Sequence, residues 1–149
     1  MGDVNAKGLN DPSKVPSGTW GTLSFAKAEV TVPSGTAVDD TIDFIKLPSG
    51  ARPVDAFVMS DGGTTAAADM RLGLDAVDAN VDADDDASDD DFFLGDTDLD
   101  AAGLSRRDTS TGFPRLKADH YVRGTVKANA LDADTVVTVG IVYAYEGKE

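Results

Sequence analysis

The segment Thr135–Tyr145, TVVTVGIVYAY, constrains the fold more than any other stretch of the chain. Val137, Val139, Ile141, Tyr143 and Tyr145 recur at period two, and the positions between them are largely apolar as well. Period two belongs to strands, and a strand apolar on both faces sits either at the centre of a layered sheet structure or at a subunit contact. The same periodicity recurs upstream. Ala26, Ala28, Val30 and Val32 alternate with Lys27, Glu29 and Thr31, and Val54, Ala56 and Val58 continue the pattern. Met70, Leu72 and Leu74 form another such run, as do Val122, Gly124, Val126 and Ala128, set against Tyr121, Arg123, Thr125 and Lys127. In Thr41–Leu47 the phase slips: Ile42 and Phe44 share one face, Ile45 and Leu47 the other, so this strand is either buried on both sides or bulged. Pro-Ser-Gly follows or precedes these runs at Pro16, Pro33 and Pro48, where proline presets one turn dihedral and glycine accepts positive φ. Helical periodicity is weak throughout, with room for one turn at Ala66–Asp69 and one at Leu99–Leu104. The pattern predicts an all-β chain, a β-sandwich or jelly-roll-like barrel of short antiparallel strands with an extended N-terminal arm.

A chain of 149 residues fits one domain that hides roughly two-thirds of its unfolded surface, so a core forms without disulfides or metal. Residues 1–20 read as an arm, with Leu9 and Trp20 as its sizeable apolar anchors, and residues 21–149 as a single β domain. Within that domain residues 75–91, DAVDANVDADDDASDDD, cannot be core, because closely spaced carboxylates cannot be desolvated together. They read as a solvated acidic loop whose far end is pinned by Phe92, Phe93 and Leu94. The chain's one basic concentration, Arg106, Arg107, Arg115 and Lys117, falls in a Gly- and Pro-containing loop over Ser105–Lys117.

The formal net charge of −14 repels phosphate backbones, which argues against nucleic acid as a partner. An Asp-rich surface is soluble and also suits high salt, where screening relieves its self-repulsion. No apolar run reaches the ~18 residues of a membrane span, and the polar N-terminus lacks the apolar stretch of a signal peptide. The absence of cysteine removes disulfides, thiolate zinc sites and cysteine nucleophiles together. His120 is the sole histidine, no G-x-S-x-G elbow accompanies it, and at a strand start it reads as a surface or interface residue. Phosphate and dinucleotide cradles are missing, and paired carboxylates for glycoside hydrolysis lack aromatic platforms. No enzyme activity and no cofactor are expected. Asp82, Asp84 and Asp86 have the alternate spacing of oxygen ligands for calcium, but Ala87 and Phe93 stand where an EF-hand needs glycine and a bidentate acid.

The segment AEVTVPSGTAVDDTIDFIKLPSGARPVDAFVMSD, the L-G-L-D strand, DDFFLGDTDLDAAG and the closing TVVTVGIVYAY together resemble small structural proteins encoded near the major capsid gene of tailed phages. The resemblance spans about Leu23 to Tyr145 and implies a virion component without catalytic residues. A capsid decoration or cement protein is the expected role, bridging subunits of the major capsid protein on the capsid exterior after assembly in the host cytoplasm. Self-association, with a trimer favoured, accompanies that role. The expected capsid or subunit contacts are Leu9, Trp20, Arg106, Arg107, Arg115 and Lys117; the basic group has a second possible use in balancing the acidic loop. Alternatives are a vertex turret, a tail or fibre-base subunit, or a module that binds glycans or calcium. The acidity suits a virus of a halophilic host. The Asp-rich insertion and the long arm depart from the compact form of these proteins.

Overall fold

The computed structural model describes residues 23–34, 36–64, 67–108, 112 and 114–147. Leu9 and Trp20 lie outside them. Eight strands follow in order: β1 (Leu23–Thr31), β2 (Thr41–Leu47), β3 (Ala51–Ser60), β4 (Asp69–Ala76), β5 (Asp89–Asp98), β6 (Gly103–Arg106), β7 (His120–Lys127) and β8 (Val136–Tyr145). They form two four-stranded sheets, ordered β1-β8-β3-β6 and β2-β7-β4-β5, with every pairing antiparallel. The pairs β4·β5, β3·β6, β2·β7 and β1·β8 nest around the β4–β5 hairpin. The chain is therefore one long antiparallel ribbon, rolled so that successive rungs fall in opposite sheets and closed by β3·β8 and β4·β7. That is the jelly roll, an eight-stranded sandwich of two Greek keys.

The core lies between the sheets, as the alternation requires. Val137, Val139 and Ile141 of β8, Val122 and Val126 of β7, and Met70, Leu72 and Leu74 of β4 are all buried there. The phase slip in β2 is a bulge between Asp43 and Ile45, which turns Ile42, Phe44, Ile45 and Leu47 all toward the core. Pro48-Ser49-Gly50 carries β2 into β3: the Ala51 N–H donates to the Pro48 carbonyl at 3.0 Å, and Gly50 takes φ 92° at the third position of the turn.

Two expected turns of helix are absent among the described residues. Asp69 already belongs to β4, and Leu99–Leu104 leads through a bend into β6. The basic segment is not all loop either, because Ser105 and Arg106 pair with Val58 and Phe57 in β6. The acidic run likewise contributes to strands at both ends: Asp75 and Ala76 close β4 and Asp89–Asp91 open β5, with Phe92, Phe93 and Leu94 buried immediately after. Among the described residues no helix is long and apolar enough to cross a membrane.

Candidate interaction surfaces

The sandwich has two outer faces of opposite chemistry. On the β2-β7-β4-β5 sheet the outward positions are ionic. Arg123 bridges Asp43 (2.6 Å) and Asp75; Arg71 bridges Asp96 (2.6 Å) and Asp90 (3.3 Å). Lys127 reaches Asp39 at 2.8 Å and Asp90 at 3.8 Å. Carboxylates still outnumber cations here. Burial, and after it the nearby Asp98 and Asp96, push the Asp69 carboxyl above its ordinary range. Each exposed pair contributes little stability, but the face as a whole holds water and repels other acidic surfaces.

The outward face of the β1-β8-β3-β6 sheet is apolar at its centre. Leu23, Phe25, Met59 and Leu104 are 59, 58, 44 and 54% exposed. With Phe57 and Val142, half-buried on the same face, they span all four strands. The rings of Phe25 and Phe57 stack with centroids 5.9 Å apart and an interplanar angle of 16°. They lie across β8 because Gly140 has no side chain: a Cβ there would overlap the Phe57 ring and meet Phe25 Cε2 at 3.0 Å. The second apolar face read in TVVTVGIVYAY is thus an outer face, with Gly140 and Val142 as its floor. Charges at the margin are balanced, with Arg52 on Glu146 at 2.7 Å, Arg106 on Asp55, and Lys27 beside Glu29 on β1. An exposed apolar patch that spans four strands is the kind of surface through which proteins bind partners.

The basic residues mostly serve their own subunit. Lys117 Nζ lies 3.2 Å from an Asp85 oxygen and donates to the Asp84 carbonyl at 3.3 Å, tying the acidic loop to the β6–β7 connection. Arg107 turns inward, donating to the carbonyls of Val54 (3.2 Å) and Gly112 (3.0 Å) with its guanidinium 5.5 Å above the Phe92 ring. Burial lowers its pKa from the usual arginine value. Arg115 acts electrostatically on Glu146. Arg106 also pairs within the chain, with Asp55, but stays 68% exposed at the rim of the apolar face beside Phe57.

His120 is fully buried, contrary to the surface position expected for it. Its Nε2 accepts the Ala87 N–H at 3.0 Å, so Nδ1 carries the proton and donates to the Ala118 carbonyl at 2.9 Å. The ring is a two-ended clamp that fastens the end of the acidic loop to the start of β7. Short-range sequence reading misses this, because the partner lies 33 residues away. Asp86 completes the clamp by accepting the Ser88 N–H at 2.8 Å. Bonds from Ser88, through its hydroxyl and its backbone N–H, hold the Asp86 carboxyl below the ordinary carboxylate range. A depressed carboxyl stabilises the fold fully above its unfolded pKa and loses that contribution as pH falls through the folded value. Ser88→Ala removes the hydroxyl and keeps the backbone N–H, so the Asp86 titration midpoint is expected to rise part of the way back toward the ordinary carboxylate range, read by carbon-detected NMR; an unmoved midpoint would show that the Ser88 hydroxyl does not help to hold it.

The alternate spacing of Asp82, Asp84 and Asp86 does not gather their carboxylates. The Asp86 N–H donates to the Asp82 carbonyl at 3.0 Å, a helical turn that puts Asp84 on the opposite side. Among the described residues Asp89, Asp90 and Asp91 do converge, but Arg71 and Lys127 already reach Asp90.

No protein-family description and no curated protein matches the chain. Solved structures do. A chain of the capsid of Ralstonia phage GP4 superposes with a TM-score of 0.64 at 20% identity, covering 91% of this chain and 90% of that one. A chain of the acid-stable capsid of Helicobacter pylori bacteriophage KHP30 gives 0.59 at 19% identity, over 84% of this chain and 89% of that one. A chain of the cyanophage Pam1 capsid asymmetric unit gives 0.66 at 19% identity, over 97% and 99%. The protein shares, over nearly its whole length, the fold of chains found in these three phage capsids.

Proposed function

We propose that this protein is a virion structural protein, a capsid decoration (cement) protein that seats the outer face of its β1-β8-β3-β6 sheet on the major capsid protein and bridges neighbouring subunits. The observation that carries the reading is the contrast between the two faces. One is a solvated ion-pair lattice, the other an apolar patch centred on Phe25 and Phe57. The likeness of fold to chains of phage capsids supports a place on the particle. Covering a large apolar side chain contributes about 1.5–3 kcal/mol, and repetition over a symmetric lattice adds avidity. The ionic face and the acidic loop then point to solvent and keep particles apart. Copies gathered in threes on the shell fit this arrangement, and the mechanism is mechanical: added contacts resist the pressure of packaged genome.

Rebinding of purified protein to particles lacking it tests the reading. Phe25→Asp with Phe57→Asp is expected to lower particle affinity at least about a hundredfold, as loss of a central aromatic anchor does. Arg71→Ala, on the ionic face, is expected to bind as wild type. Wild-type binding by the double variant, with unchanged melting, would refute the docking face; fivefold clustering of bound protein would favour a vertex turret.

A further inference from the structure

The four sheet edges are not equally protected. β6 is four residues long, β2 is bulged at Asp43/Ile45, and β5 has register shifts at two places opposite β4. Short or bulged edges resist pairing with another chain. β1 has none of these devices. It runs nine residues, Leu23–Thr31, in unbroken register with β8, contains no proline, and among the described residues no strand lies on its outer edge. Its core-side residues Ala26, Ala28 and Val30 remain half-exposed there.

We propose that the β1 edge pairs antiparallel with β1 of a second copy of this chain, about a two-fold axis through Ala28. Charge selects both partner and register. At −14, two copies repel each other over most of their surface, but β1 carries one cation and one anion, Lys27 and Glu29, both exposed and flanking Ala28. Pairing centred on Ala28 sets each Lys27 opposite the other copy's Glu29, Ala26 opposite Val30, and Phe25 opposite Thr31. Centring on Lys27 instead would oppose the two lysines. A two-fold contact is self-complementary, so one favourable pair is made twice. Because antiparallel strands in one sheet are related by an axis normal to it, the two apolar faces fall on the same side. The eight-stranded sheet so formed presents one doubled docking face. The two-fold thus links copies beyond any threefold grouping on the shell and stands whether or not the shell is the partner.

Sedimentation equilibrium of the full chain at low ionic strength tests this. Wild type is expected to show two-fold self-association. Lys27→Glu, which sets like charges opposite each other twice, is expected to weaken it about tenfold or more. The swap Lys27→Glu with Glu29→Lys reverses both pairs and is expected to restore it, with melting temperatures within a few degrees of one another, since Glu29→Lys loses only the 3.3 Å bond from the Thr138 hydroxyl. A monomeric wild type, association indifferent to Lys27→Glu, or a double variant no better than the single would each overturn the proposal.

Discussion

Ile141→Asp is expected to leave no folded protein at 25 °C. Ile141 is wholly buried in β8, the strand between β1 and β3, and lies opposite Ala26 on one side and Ala56 on the other. The lost aliphatic packing alone costs about 2–5 kcal/mol. A carboxylate at that depth adds several more, whether it stays charged or takes up a proton, because no described cation reaches the site. The sum is comparable to the ~5–15 kcal/mol that holds a domain of this kind together. Far-ultraviolet circular dichroism reads the outcome; a soluble variant with wild-type melting would mean that β8 is not the centre of the core.

Gly73→Ala is expected to destabilise the fold for a different reason, by less than Ile141→Asp does. A Cβ on Gly73 would overlap the Asp89 carbonyl oxygen and lie 2.5 Å from the Asp90 carbonyl carbon. Backbone cannot step aside as a flexible side chain does, so β4 and β5 must separate. That hairpin is the innermost rung of the rolled ribbon, and the register of every later rung depends on it. Overpacking of this kind costs about 3 kcal/mol, a fall of roughly 6–12 °C in Tm. Gly95→Ala supplies the control, since nothing lies within 4 Å of its Cβ position. Equal melting of the two variants would show that the close approach at Gly73 is not required.

Six of the eight strands are legible in the sequence: β1, β3, β4 and β7 alternate between a core and an outer face, β2 alternates with one slip, and β8 is apolar on both faces. The other two are hidden for separate reasons. β5 opens with Asp89, Asp90 and Asp91, whose acidity reads as loop although outward strand positions carry acid without cost. β6 has four residues, too few for any period, and takes its existence from pairing with β3. The apolar outer face was half legible. The apolar second side of β8 marks it, but its largest members, Phe25 and Phe57, sit on strands whose alternation assigns their phase to solvent. Only the sheet order brings them together over Gly140. The basic segment misleads in the opposite direction. Clustered in sequence, its members disperse in space: Lys117 goes to the acidic loop, Arg107 to the interior and Arg106 to the sheet rim. His120 was unreadable for a similar reason, since the bond that fastens it to the acidic loop comes from Ala87, 33 residues away.

The proposed docking face is tested most directly by a cryo-electron reconstruction of virus particles that carry this protein. The expected density is an eight-stranded sandwich on the capsid exterior, with Phe25 and Phe57 turned toward the shell and Arg71 and Arg123 toward solvent. A sandwich seated the other way up, ionic face down with both phenylalanine rings in water, would contradict it.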